Sequence, residues 1–238
     1  MKNKVVVLIP AAGSGLRFAN GLLPKQYTQI GNKTILMHTL EVFVKLEEIS
    51  QIVIVANAAD SQIDSYSQLS AKIQIQKVGG NTRGISVFNG LNTLNCAADD
   101  WVLVHDAARC CIQRSQVLQL LNQLKHDAVG GILAIPATDT LKEVVDGVIL
   151  RTLDRNAIYL AQTPQMFRYK VLKTALNQTN LVTLTDEASA VEQLGLEVKL
   201  VMGNRTNIKV TYPDDLEWAE LILKRMEQRI IADTHALY

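Results

Sequence analysis

Val5-Val6-Val7-Leu8-Ile9-Pro10-Ala11-Ala12-Gly13-Ser14-Gly15-Leu16-Arg17 changes character halfway along. Its first five residues are β-branched or aliphatic without a break, the pattern of a strand covered on both faces. From Pro10 the residues turn small and glycine-rich, which lets backbone N–H groups approach phosphate oxygens closely. Arg17 and Lys25 follow in the same connection, so the segment reads as an anion clamp with backbone beneath and two cations above. Neither G-x-x-x-x-G-K-[ST] nor G-x-G-x-x-G fits the spacing. Locally, a tight strand-to-helix turn with solvent-facing basic residues accounts for the same letters.

The rest of the chain repeats this alternation. Apolar residues at helical spacing (Leu36, Leu40, Phe43, Val44) predict a helix over 35–44, and strands are expected at Ile52–Ala56 and Ile73–Val78. Val87, Leu91 and Leu94 predict a second helix, Trp101–His105 a buried strand, 115–126 a helix and Ile132–Ile135 a further strand. This rhythm belongs to a mostly parallel sheet with helices on both faces, an α/β fold whose ligands bind beyond the carboxyl ends of the strands. The polar clusters follow strands: Pro10 to Lys25, Gly79 to Ser86, and Asp106 to Arg109. Strand order is not legible from this pattern.

Residues 140–153 depart from the rhythm. β-formers flank Asp146-Gly147, a pair suited to the positive φ angles of a two-residue hairpin turn. A lone hairpin is marginal in water and needs a partner surface. From Pro213 to Ile231, Leu216, Ala219, Leu223, Met226 and Ile230 predict a closing amphipathic helix.

The 238 residues are 48% hydrophobic, enough for one core and one domain over 1–238. A net charge of +1 gives no support to a general nucleic-acid or membrane surface. Cys96, Cys110 and Cys111 contain no C-x-x-C pair, so they read as free thiols of a reducing compartment. No stretch has the length of a bilayer span or a signal peptide's apolar region, and a cytoplasmic location is expected.

Asp106, at the end of the strand Trp101–His105, is placed to hold Mg²⁺ beside bound phosphates, because Mg²⁺ takes few oxygens from protein. Capping of the next segment, with Arg109 as ion-pair partner, is the alternative. Gly79-Gly80-Asn81-Thr82-Arg83-Gly84-Ile85-Ser86 offers N–H donors, an amide, hydroxyls and a cation to a base or phosphate, and equally suits a turn and helix cap. Thr185-Asp186-Glu187-Ala188 resembles a helix start.

Taken in order, Pro10–Arg17, Pro24-Lys25-Gln26-Tyr27, Val104–Arg109, Asp139-Thr140, Asp154-Arg155-Asn156, Thr163-Pro164-Gln165, Thr185–Ser189 and Asn207–Thr211 span nearly the whole chain. This ordered set resembles the 2-C-methyl-D-erythritol 4-phosphate cytidylyltransferases of the non-mevalonate isoprenoid pathway. The length is that of the single-function enzyme, so no fused second enzyme is expected.

The resemblance implies a Rossmann-like nucleotidyltransferase core with a protruding β-hairpin arm, here 137–158, through which a homodimer forms. It implies that CTP and the polyol phosphate are joined with release of pyrophosphate. Arg17, Lys25 and Lys209 would be catalytic. Pro10, Ala11, Ala12, Gly13, Ser14, Gly15, Gly80, Asn81, Ser86 and Ala107 would bind the nucleotide. Asp106, as Mg²⁺ ligand, would also face the substrates with Arg109, Thr163 and Thr185, while Thr140 and Arg155 would reach the acceptor phosphate of the partner's site. The absence of a Ser-His-Asp set favours direct in-line attack over a covalent intermediate.

Three residues depart from the family pattern. Asn81 stands where an acidic residue is common, Cys110 where a proline usually follows Ala-Ala-Arg, and Leu16 where a basic or small polar residue is frequent. A ribitol 5-phosphate cytidylyltransferase, sharing fold and chemistry, is the nearest rival, and a non-catalytic nucleotide-binding module is the rival of another class.

Overall fold

The computed structural model describes residues 3–13 and 24–235. Among them the strands are β1 (Val5–Pro10), β2 (Gln29–Ile30), β3 (Lys33–Thr34), β4 (Gln51–Val55), β5 (Ile73–Gln76) and β6 (Trp101–Val104). They continue with β7 (Gly130–Pro136), β8 (Leu141–Val145), β9 (Val148–Leu153), β10 (Tyr159–Arg168) and β11 (Lys199–Met202). The α-helices are α1 (Ile35–Val44), α2 (Arg83–Asn92), α3 (Arg114–Leu124), α4 (Tyr169–Gln178), α5 (Glu187–Glu192) and α6 (Asp215–His235).

Seven strands form one sheet in the order β11-β7-β10-β6-β1-β4-β5. Every pairing is parallel except those of β10, which runs antiparallel between β6 and β7. The chain runs outward from β1 through β4 to β5, then returns to the other side of β1 as β6. The strand order therefore reverses between β1 and β6, the place where a crevice opens in such sheets.

Side chains alternate along β1, as strand geometry requires. Val7 and Ile9 pack with Leu36, Leu40 and Phe43 of α1 and with Val117 and Leu120 of α3. Val6 and Leu8 face the other layer, with Val87 and Leu91 of α2, Leu172 of α4 and Val191 of α5. All four β1 residues are fully buried, as expected of a strand covered on both faces.

The second helix ends at Asn92, leaving Leu94 buried just past it. The closing helix starts at Asp215 instead of Pro213, because the Asp215 carboxylate accepts the N–H groups of Thr211 and Tyr212 at 2.7 and 2.8 Å and holds the entry turn. Its residues Leu216, Ala219 and Leu223 pack with Ile30, Cys110, Cys111 and Val210. The side chain of Ile230 lies outside the described part.

The hairpin forms where the Asp146-Gly147 pair places it, with φ of 50° and 80° at the two turn residues. β8 and β9 make a sheet of their own, and Val144, Val145, Val148, Ile149 and Leu150 are each at least half exposed.

Candidate active site

A cleft of about 510 Å³ lies at the carboxyl ends of β1 and β6. Pro10, Ala11, Ala12 and Gly13 line one side, Gly80, Asn81 and Ser86 a second, and Asp106 and Ala107 a third, with Lys25 and Lys209 beside them. Ser14, Gly15, Leu16 and Arg17 lie outside the described residues.

The loops are tied to one another. The Gln26 side-chain amide donates to the Ala11 carbonyl at 2.8 Å. A Cβ at Gly79 would run into Ala12 and the Ala56 carbonyl, so glycine lets the 79–82 loop lie against the 10–13 loop. The Ser86 hydroxyl accepts the Gly80 N–H at 3.0 Å and donates to the Thr82 carbonyl at 2.9 Å. Ser86 thus shapes the cleft wall with its hydroxyl committed to backbone. Thr82 then caps α2, accepting the Ile85 N–H at 3.2 Å.

Lys25 and Lys209 come from distant parts of the chain. The Lys25 ammonium donates to the Val210 carbonyl at 2.6 Å, and the Val210 N–H donates to the Ala108 carbonyl at 2.9 Å. These bonds draw the 207–211 segment against the end of β6, and Lys209 reaches Oδ2 of Asp106 at 2.9 Å.

Asp106 is 7% exposed and carries cations on both oxygens. Arg83 Nε donates to Oδ1 at 2.8 Å, Lys209 takes Oδ2, and Arg109 Nε stands 3.7 Å from Oδ2. Burial alone would raise this carboxyl's pKa, but Arg83, Lys209 and Arg109 together hold it well below the usual carboxylate range. Arg83 is in turn gripped by the fully buried Glu187, at 2.6 and 3.0 Å.

Behind Asp106 runs a chain of neutral hydrogen bonds. The Asp106 N–H donates to the Thr163 hydroxyl at 3.1 Å, and Thr163 lies 3.0 Å from His105 Nδ1. His105 Nε2 lies 3.2 Å from the Arg109 carbonyl, which can only accept. Nε2 therefore carries the proton, and Nδ1 accepts from Thr163. Complete burial pushes His105 down to about 3, which keeps the ring neutral and this polarity fixed. Thr163, at 4% exposure, uses its hydroxyl here and not at the cleft surface.

Arg109 is likewise engaged, donating to the Asn207 carbonyl at 2.8 Å and the Ala161 carbonyl at 3.3 Å. Thr140 and Arg155 are exposed at the base of the hairpin, away from the cleft lining, where Arg155 donates to the Thr138 carbonyl. Thr185 is exposed just before α5.

Lys25, Arg83, Arg109 and Lys209 outnumber the carboxylates of Asp106 and Glu187, so the site suits a polyanion. Among the described residues no cluster of three acidic, His or Cys side chains could cage a metal. Asp106 is the only carboxylate among them that lines the cleft, and one carboxylate fits Mg²⁺ whose other positions hold water and phosphate oxygens. Oδ2 is held by the 43% exposed Lys209, a less buried partner than the Arg83 on Oδ1.

In the sequence alone, Arg83 reads as a cation offered to a base or phosphate, Glu187 as part of a helix start, and His105 has no role. The signal for Arg83 was its position within the second glycine-rich loop. No local pattern marks Glu187, whose partner lies 104 residues away.

The chain matches the family model "2-C-methyl-D-erythritol 4-phosphate cytidylyltransferase" over residues 5–225. It is 44% identical over 225 residues to the protein of that name from Chromobacterium violaceum, covering 94% of this chain and all of that protein. A crystal structure of 4-diphosphocytidyl-2C-methyl-D-erythritol synthase superimposes with a TM-score of 0.82 at 40% identity, covering 94% of this chain and 99% of that one. The Francisella tularensis 2-C-methyl-D-erythritol 4-phosphate cytidylyltransferase gives a TM-score of 0.80 at 38% identity, covering 92% and 100%. With its β1 loop, its Asp106 strand end and its Lys25–Lys209 pair converging on one cleft, the chain belongs to the 2-C-methyl-D-erythritol 4-phosphate cytidylyltransferase family.

Proposed function

We propose that this chain transfers a cytidylyl group from CTP to 2-C-methyl-D-erythritol 4-phosphate, giving 4-diphosphocytidyl-2-C-methyl-D-erythritol and pyrophosphate. The observation that carries this reading is the family match over residues 5–225, joined to a cationic cleft at the strand-order reversal. An acceptor phosphate oxygen forms a bond to the α-phosphorus of CTP. The bond from that phosphorus to the bridging oxygen breaks, and pyrophosphate leaves with the electron pair.

The acceptor phosphate is already anionic near neutral pH, so the reaction needs positioning and charge stabilisation more than a base. The 10–15 loop with Gly80, Asn81, Ser86 and Ala107 receives the nucleotide. Arg17, Lys25 and Lys209 meet the phosphates and the charge that builds at the α-phosphorus. Asp106 would hold Mg²⁺, which would supply charge neutralisation to the phosphates. Arg109 and Thr163 hold the Asp106 corner in place, and Thr185 lies towards the acceptor.

The active unit in this reading is a homodimer. Residues 137–158 form an arm within the single domain, and its exposed valines, isoleucine and leucine supply the apolar face that a partner covers. Thr140 and Arg155 at its base then reach the partner's acceptor phosphate, where a guanidinium can grip two oxygens at once. No helix among the described residues is long and apolar enough to cross a membrane. The free thiols fit an enzyme of the cytoplasm.

Mixing the protein with CTP and Mg²⁺ tests the reading. Pyrophosphate should appear only when the acceptor is added. A protein that binds CTP yet never releases pyrophosphate with the acceptor present is a binding module, and the proposal fails.

A further inference from the structure

Glu187 and Arg83 have no place in the substrate contacts assigned above, yet they are built into the site. Each opens a helix: Arg83 is the first residue of α2 and Glu187 the first of α5. The start of α5 is anchored to β10, because the Gln165 side chain donates to Asp186 at 2.8 Å and accepts the Ala188 N–H at 2.9 Å. Glu187, with no exposed surface, takes Nη1 and Nη2 of Arg83 at 2.6 and 3.0 Å. The third guanidinium nitrogen, Nε, donates to Asp106 Oδ1 at 2.8 Å.

A buried carboxylate left without its partner is strongly unfavourable, so Glu187 keeps Arg83 from leaving. The planar fork then fixes where Nε points, which a lysine could not do. The two oxygens of Asp106 are consequently unequal. Oδ1 takes a 2.8 Å hydrogen bond from a guanidinium with a buried anchor, whereas Oδ2 takes its hydrogen bond from the more exposed Lys209, which has no such anchor. Arg109 Nε stands beyond hydrogen-bond distance of Oδ2, at 3.7 Å.

We propose that Arg83, held by Glu187, is a positioning residue that keeps Oδ1 of Asp106 occupied and presents Oδ2 alone to the cation and phosphates in the cleft. The inference rests on the reading of Asp106 as the metal ligand. It makes Asp106 a one-oxygen ligand of fixed direction. Without the clamp the carboxylate can rotate or chelate with both oxygens, and the geometry of metal and phosphates is lost.

The test measures Mn²⁺ dissociation from the enzyme–CTP complex by electron paramagnetic resonance, with no acceptor and therefore no turnover. Three variants are compared: Asp106→Asn, Glu187→Gln, and Arg83→Met combined with Glu187→Met. The double variant removes both buried charges together, which a fold tolerates better than loss of one. Thermal unfolding identifies the folded variants. Weakening of Mn²⁺ binding by about 10–100-fold in the double variant, and in Glu187→Gln where it folds, supports the inference, this being the usual effect of losing an outer partner of a metal ligand. If Asp106→Asn weakens Mn²⁺ binding and the folded double variant binds it like wild type, the ion pair is merely structural and the inference is overturned. If Asp106→Asn itself binds Mn²⁺ normally, the metal reading falls and the inference with it.

Discussion

Lys25 donates its ammonium to the backbone carbonyl of Val210, 185 residues further along the chain, at 2.6 Å. The bond makes one cationic corner out of a loop that follows β1 and a segment that precedes α6. Lys25 and Lys209 thus line the same cleft as Asp106.

Charge on the transferring phosphoryl group grows only as the new bond forms, so a cation held there acts chiefly on the transition state. Lys25→Ala should lower kcat by about 10²–10³-fold, the usual effect of losing one such electrostatic contact. Steady-state kinetics at saturating Mg²⁺ reads this directly. A variant with near-normal kcat and a raised KM for CTP would show that Lys25 binds only the ground state.

The buried His105 should make the fold acid-sensitive. Its pKa is lowered to about 3 from the ordinary 6.5, chiefly by burial, so between those values the unfolded chain binds a proton that the folded chain does not. Stability from this group is fully present above pH 6.5 and falls as the pH drops towards 3. At pH 5 the loss relative to pH 7 is about 2 kcal/mol from His105 alone. Denaturant unfolding at both pH values should show His105→Gln losing about that much less than wild type. Equal acid sensitivity in the two proteins would mean that another group governs it.

The exposed arm leads to a mixed-dimer experiment. In the proposed homodimer, Lys25→Ala and Arg155→Ala should each lose activity, since each lesion then falls in both sites of its own homodimer. After subunit exchange, one site of a heterodimer carries both lesions and the other none, so each heterodimer should recover roughly half of wild-type activity, as closed two-fold symmetry requires. Verified heterodimers without activity would place Arg155 in its own subunit's site.

The sequence made some of this visible and hid the rest for physical reasons. α1 is bounded where Leu36, Leu40 and Phe43 place it, because its period follows directly from burying one face. The hairpin is legible because Asp146-Gly147 suits a turn with positive φ at both residues. β10 is not, since Pro164 lies within it, its register shifts between Ala161 and Gln165, and its buried polar residues meet distant partners. Gln162 donates to the Asn204 carbonyl, and the Asn207 amide donates to the Thr163 carbonyl, contacts no local pattern encodes. The same holds for Glu187 and Arg83: a buried ion pair between two helix starts depends on strand order, and strand order was not readable. Residues 10–13 and Lys25 line the cleft as the loop's composition indicates. Asn81 lines it too, so an amide stands in the cleft where the family commonly carries an acid.

kcat/KM measured in parallel for 2-C-methyl-D-erythritol 4-phosphate and ribitol 5-phosphate decides which acceptor the enzyme uses. Both offer a terminal phosphate to the same cations, and a branched methyl group alone contributes about 1–3 kcal/mol of discrimination. The branched acceptor should be preferred by about 10–200-fold, with CTP consumed and pyrophosphate released in equal amounts. An equal or greater kcat/KM for ribitol 5-phosphate would make the unbranched polyol phosphate the acceptor instead.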